Sequence, residues 1–72
     1  MKITEIGKNA GIVWRALDCS KREMGLEELA RITSLDKTEV AAAIGWLARE
    51  NKITINESQG DYLVYVFKES YF

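Results

Sequence analysis

Cys19 is the only thiol in this 72-residue chain, and there is no histidine to work beside it. A cysteine becomes a nucleophile when a base or cation favours its thiolate. Cys19 stands between Asp18 and Ser20 with no such partner in the sequence, so it reads as a packed or idle thiol. A serine-type hydrolytic site also lacks its base. A lone cysteine cannot form an intrachain disulfide, and it could hold zinc only if several chains pooled ligands. No glycine run follows a strand in the form that cradles phosphate. Gly7 and Gly11 have the small-residue spacing that brings membrane helices together, but in a soluble helix the pair reads as close packing or local fraying. The expectation is a protein that is not an enzyme, with no cofactor, no metal and no evident small-molecule substrate.

The bulk numbers bound the class. Hydrophobic residues make up 47% and charged residues 29%, values of a globular chain rather than a disordered one. At 72 residues the expectation is one domain over residues 1–72, and a domain of that size buries only about 60% of the surface its unfolded chain exposes. The opening MKITEIG has no apolar run of signal-peptide length, and no segment approaches the roughly 20 apolar residues needed to span a bilayer. A cytoplasmic location without membrane contact is expected.

Hydrophobic spacing supplies the elements. Ile6, Ala10, Val13 and Leu17 recur at helical intervals, which predicts a first helix from about Thr4 to Cys19, capped by Thr4. Ser20 to Gly25 is a charged connector. Leu26, Leu29 and Ala30 give one apolar face, and Val40, Ala43, Ile44 and Leu47 give another, so two further helices can close on one core. Asp36 can cap the third helix, with Glu39 completing a reciprocal capping box, and Asn51 tolerates the left-handed conformation that ends it. Ile53 and Ile55 alternate with Thr54 and Asn56, which predicts a strand with one buried face. Ser58 to Asp61 forms the turn, and Tyr62 to Phe67 the returning strand, with Tyr62, Val64 and Val66 on one face and Leu63, Tyr65 and Phe67 on the other.

Glu28-Leu29-Ala30, Val40 and Ile53 carry a resemblance to the winged helix-turn-helix family, while Ser34 and Asn51 stand where that family usually has glycine. The resemblance implies an α+β fold of three helices with a C-terminal β-hairpin wing, and a very short strand at Arg22 to Met24 before the second helix. The chain also looks like the short stand-alone bacterial winged-helix proteins grouped as a domain of unknown function. Most winged helices lay the second helix of the motif in the major groove and touch phosphate with the wing.

The outward positions of that helix here are Lys37, Thr38, Ala41, Ala42, Gly45, Trp46 and Arg49. Base edges are read by Arg, Lys, Asn, Gln or acids, and the middle of this face offers only apolar contact. The wing has Glu57 and Asp61 and no cation. Residues 1–22 hold five cations against two acids, a net of plus three, whereas residues 53–72 hold one cation against three acids, a net of minus two. The basic charge thus lies off the reading surface, in a chain whose formal net charge is −1. Under a DNA-binding reading the contacts would be Lys37, Thr38, Arg49, Lys21 and Arg22. For Lys21 and Arg22 the plainer reading is a solvated helix end.

Trp46 has two readings: an aromatic filling space beside the wing, or, with Ala42 and Gly45, a flat patch for a partner. Trp14 is expected in the core. Tyr65, Phe67, Tyr71 and Phe72 crowd the C-terminal end, and either the tail or a second chain could cover them. The favoured reading is a non-catalytic binding module of transcription-regulator type that acts through protein contact or self-association, with Ala42, Gly45, Trp46, Tyr65 and Phe67 as its candidate interface. The alternative is a sequence-specific DNA-binding regulator working as a dimer.

Overall fold

The computed structural model describes residues 1–58 and 60–66. Three helices and three strands follow in the order α1 (Ile3–Ser20), β1 (Met24–Gly25), α2 (Leu26–Thr33), α3 (Lys37–Arg49), β2 (Ile53–Ser58) and β3 (Asp61–Val66). The strands form one antiparallel sheet in the order β1-β3-β2. No helix among the described residues is long and apolar enough to cross a membrane.

The helix ends show how local chemistry sets the frame. α1 begins at Ile3, so Thr4 lies in its first turn and is not the cap that the sequence suggested. Glu5 does that work: its carboxylate accepts the Lys2 backbone N–H at 3.2 Å, and an acid in the first turn also suits the positive end of the helix dipole. At α3 the expected box is complete. The Glu39 N–H donates to the Asp36 carboxylate at 2.8 Å, and the Asp36 N–H donates to Glu39 at 3.1 Å.

Three non-glycine residues, Lys21, Ser34 and Asn51, have left-handed φ angles of 58°, 64° and 60° where α1, α2 and α3 end. Beyond α3 the Lys52 N–H reaches the Leu47 carbonyl at 3.0 Å, and the Asn51 N–H reaches that of Ala48 at 3.1 Å, closing the helix in a Schellman motif. Asparagine enters this region more readily than serine. Ser34→Gly is therefore expected to raise stability by roughly 0.5–1 kcal/mol, the steric relief exceeding the extra entropy that glycine loses on folding. The denaturation midpoint reads this, and a lower midpoint would show that the serine conformation costs nothing here.

The core lies between the helices and one face of the sheet. Ala10, Val13 and Leu17 of α1 meet Leu29 of α2, Val40, Ala43, Ile44 and Leu47 of α3, Met24 of β1, Ile53 of β2 and Val64 of β3, all buried. Trp14, Leu26 and Ala30 pack against this cluster half-buried.

Two expectations for the sheet need correction. The first strand is Met24–Gly25 rather than Arg22 to Met24, because Met24 is drawn fully into the core and pairs with Val64. The buried face of β2 is also incomplete. Ile53 is 7% exposed but Ile55 is 41% exposed, although both share the face of Val64. Tyr62, on that same face near the turn, is 46% exposed. The hairpin runs past the helical layer, so alternation predicts the face correctly while its distal half meets water. β3 is described from Asp61 to Val66, and Gly60 supplies the turn with φ 81°. Phe67, Tyr71 and Phe72, and with them the expected outer-face position of Phe67, lie outside the described residues.

Candidate interaction surface

α3 presents Lys37, Thr38, Ala41, Gly45, Trp46 and Arg49 to solvent, with Ala42 half-buried. The helix is anchored through Val40, Ala43, Ile44 and Leu47, which fixes its rotation and leaves the expected positions outward. Of the residues able to touch phosphate, Lys37, Arg22 and Lys21 are paired within the molecule. Lys37 Nζ lies 3.0 Å from Glu27 Oε2. Arg22 forms a two-pronged pair with the neighbouring Glu28, one bond Nη1 to Oε1 at 3.2 Å and the other Nη2 to Oε2, and its Nη1 also donates to the Glu23 carbonyl at 3.0 Å. The N-terminal acids of α2 thus draw in the cation that opens α3 and the cation that follows α1.

The hydrogen bond from Arg22 holds the Glu28 carboxyl below the usual glutamate range, and the same bond raises the guanidinium. A carboxyl held low stabilises the fold above its unfolded value and loses that contribution as pH falls through its folded one. The pair is solvent-exposed, so its weight in stability is small.

Lys21 sits 4.0 Å from Asp18, one turn back on α1. Thr38 and Arg49 lie exposed at the two ends of α3, about 16 Å apart at 1.5 Å of rise per residue.

An open cleft of about 920 Å³ runs between the start of α2 and the turn of the hairpin, lined by Glu27, Glu28, Arg31, Lys37 and Tyr62 among others. The sequence reading passed over Arg31 and took Tyr62 only as a strand residue, not as part of a site. Arg31 follows Glu28 by three residues, a helical spacing that could have drawn attention to it. The wing adds an exposed Glu57, and no lysine or arginine lies between Lys52 and Lys68. Replacing Glu57 and Asp61 together by lysine is expected to strengthen nonspecific duplex binding, since two like charges near phosphate are exchanged for two attractive ones. If the double variant instead weakened binding to a native duplex target, the wing would be a true contact.

The apolar candidates divide between two places. Trp46 is 36% exposed, and its indole lies across Gly7 of α1: a methyl group added at Gly7 would stand 3.2 Å from Cζ2 and 3.4 Å from Cη2 of the ring. Gly7 is a seat for the indole, which settles its role as close packing. Gly11 is different, for a methyl group there would meet nothing within 4 Å, and the same holds at Gly45. Beside Trp46 a groove of about 220 Å³ runs between α1 and α3, with Gly7, Gly11, Trp14 and Trp46 along it and Glu50 and Lys52 at its edge. Tyr65 lies elsewhere. It pairs with Thr54 on the face of the sheet opposite Val64 and is half-buried. Cys19 is exposed in the last turn of α1.

A helix-turn-helix closed by α2 and α3, preceded by a supporting helix and followed by a β-hairpin, defines a winged helix-turn-helix domain. The chain matches the model of the winged helix-turn-helix domain family DUF2582 over residues 1–66 and belongs to that family. Among solved structures it is similar to the solution NMR structure of the protein BT2368 from Bacteroides thetaiotaomicron, with 41% identity and a TM-score of 0.82 over 92% of this chain and 79% of that one. No curated protein matches it. The fold is typically non-catalytic, and function within it is decided by the surface of each member.

Proposed function

We propose that this domain is a non-catalytic binding module of transcription-regulator type, cytoplasmic, which acts through protein contact and foremost with a second copy of itself. One observation carries the reading. The middle of the exposed α3 face is Ala41, Ala42, Gly45 and a partly uncovered Trp46, while the lysine that opens the helix is held by Glu27. Such a face has apolar area to bury and few groups that hydrogen-bond base edges. The alternative, sequence-specific DNA binding as a dimer, is favoured by the fold and by the exposure of Thr38 and Arg49 at the ends of α3.

Salt separates the two. Binding that rests on phosphate contacts weakens steeply between roughly 50 and 200 mM salt, whereas apolar association is not screened in this way. Sedimentation velocity over a concentration series, run beside a duplex titration at two salt levels, is the test. Association that persists in high salt is the expected result. A monomer that binds duplex DNA with a steep salt dependence would reverse the reading.

A further inference from the structure

We infer that the fold carries an internal brake on polyanion binding: Glu27 and Glu28, successive residues in the first turn of α2, hold the cations Lys37 and Arg22 and keep both from phosphate. The inference goes beyond self-association and does not depend on it. Lys37 is the first residue of α3, next to its cap Asp36, and Arg22 stands just before β1. In a helix-turn-helix the start of the second helix is the part that approaches a duplex. Yet Lys37 Nζ is turned back to within 3.0 Å of Glu27 Oε2, ten residues away in the chain. Arg22 is held more firmly, by both oxygens of Glu28 and by the Glu23 carbonyl.

A cation held in this way reaches phosphate only by leaving its carboxylate. The gain that drives such contacts is then reduced, because a fixed charge already neutralises the lysine, and the freed carboxylate faces the phosphate as a like charge. Both pairs are exposed, so each can be exchanged rather than being locked. Arg31 gives the contrast within the same cleft. It lies one turn on from the two acids and forms no ion pair among the described residues, so it is the cleft cation left open to an anion.

Acids in the first turn also suit the positive end of the α2 dipole, where Gly25 offers no side-chain cap. That role needs only the charge of Glu27, whereas the brake needs its pairing with Lys37. The two differ in one respect: under the brake, Lys37 contributes to duplex binding only once Glu27 is removed.

The test titrates a random-sequence duplex at low salt, by fluorescence anisotropy, with the intact wild-type chain, Lys37→Gln, Glu27→Gln and the double variant. Glu50→Gln is the control, since it removes the same charge at the far end of α3, where Glu50 forms no ion pair among the described residues. Glu27, Lys37 and Glu50 are all exposed, so the core is untouched and far-UV circular dichroism should match wild type. Glu27→Gln should bind at least about threefold more tightly than Glu50→Gln, and its affinity should fall more steeply with salt, by about 0.9 in logarithmic slope for the one cation released. Lys37→Gln should leave wild type within about twofold but cancel the gain in the Glu27→Gln background. Arg22→Gln with Glu28→Gln forms a second cycle with the same expectation, and a failed cycle strikes the pair it tests. Equal losses from Lys37→Gln in both backgrounds, or a Glu27→Gln gain no larger than that of Glu50→Gln, overturn the brake. So does an absence of duplex binding by Glu27→Gln at low salt. Self-association is read separately by sedimentation, and neither result decides the other.

Discussion

Leu29→Ala is expected to remove about 2–5 kcal/mol of folding stability and to leave a chain that is largely unfolded at moderate temperature. Leu29 is fully buried where α2 meets α3 and the sheet, and it is the only fully buried residue that α2 contributes. Total stability of natural domains is about 5–15 kcal/mol, and a chain with so small a core belongs near the lower end. The loss combines the transfer of the missing methyl and methylene groups with the cavity left behind, because the half-buried Leu26 and Ala30 beside it are already committed to the same cluster. Val40→Ala should cost less, since fewer atoms are removed. Ile44 and Leu47, 6% and 3% exposed at the edge of the core, should fall between the two. Urea denaturation midpoints for the four variants decide it. A wild-type midpoint for any of them would mean that its side chain does not hold the helices together.

Much of this fold is legible in the sequence because the signals are local. The Asp36–Glu39 box, the apolar spacing of α3 and the left-handed residue after it each depend on neighbours within a few positions, and each is found as expected. Ser34 was marked only by standing where the winged-helix pattern has glycine, and its φ of 64° gives that departure a physical meaning. What could not be read depends on length and on distance across the chain. Ile55 shares the correct face but lies beyond the reach of the helices, a fact about where the helical layer stops rather than about alternation. The start of α1 moved because Glu5 can reach back to Lys2, a competing cap that the threonine signal masked.

The candidate surface was legible in composition more than in partners. That the α3 face is apolar follows from its residue types, and the structure keeps those residues outward. That Lys37 is held by Glu27, ten residues earlier, depends on how α2 and α3 cross, and no periodicity within one helix encodes that distance. Gly7 is the sharpest case. Its spacing with Gly11 suggested a matched pair, yet one glycine seats the indole of α3 and the other faces open space.

Trp46→Ala is expected to shift the protein toward monomer while leaving the fold intact. Trp46 is held between two roles, its ring lying across Gly7 within the chain while 36% of the residue remains exposed. Truncation therefore removes some packing from the monomer, but less than the loss of a fully buried aromatic, because the ring lies on the outside of α3 and the core face of that helix is untouched. At an interface the exposed part counts more. A tryptophan near the centre of an interface commonly costs about 2 kcal/mol or more when cut to alanine, which is roughly a thirtyfold rise in the dissociation constant. The shift should persist in high salt, since burial of apolar surface is not screened as ion pairs are. Tyr65→Ser is the natural counterpart, because Tyr65 lies on the other face of the sheet and offers the rival interface. With the contact centred on Trp46, its replacement should leave the association constant unchanged. If Tyr65→Ser dissociates the protein and Trp46→Ala does not, the outer face of β3 is the contact surface. If wild type itself sediments as a monomer at high micromolar concentration, Trp46 is a half-buried packing residue and nothing more.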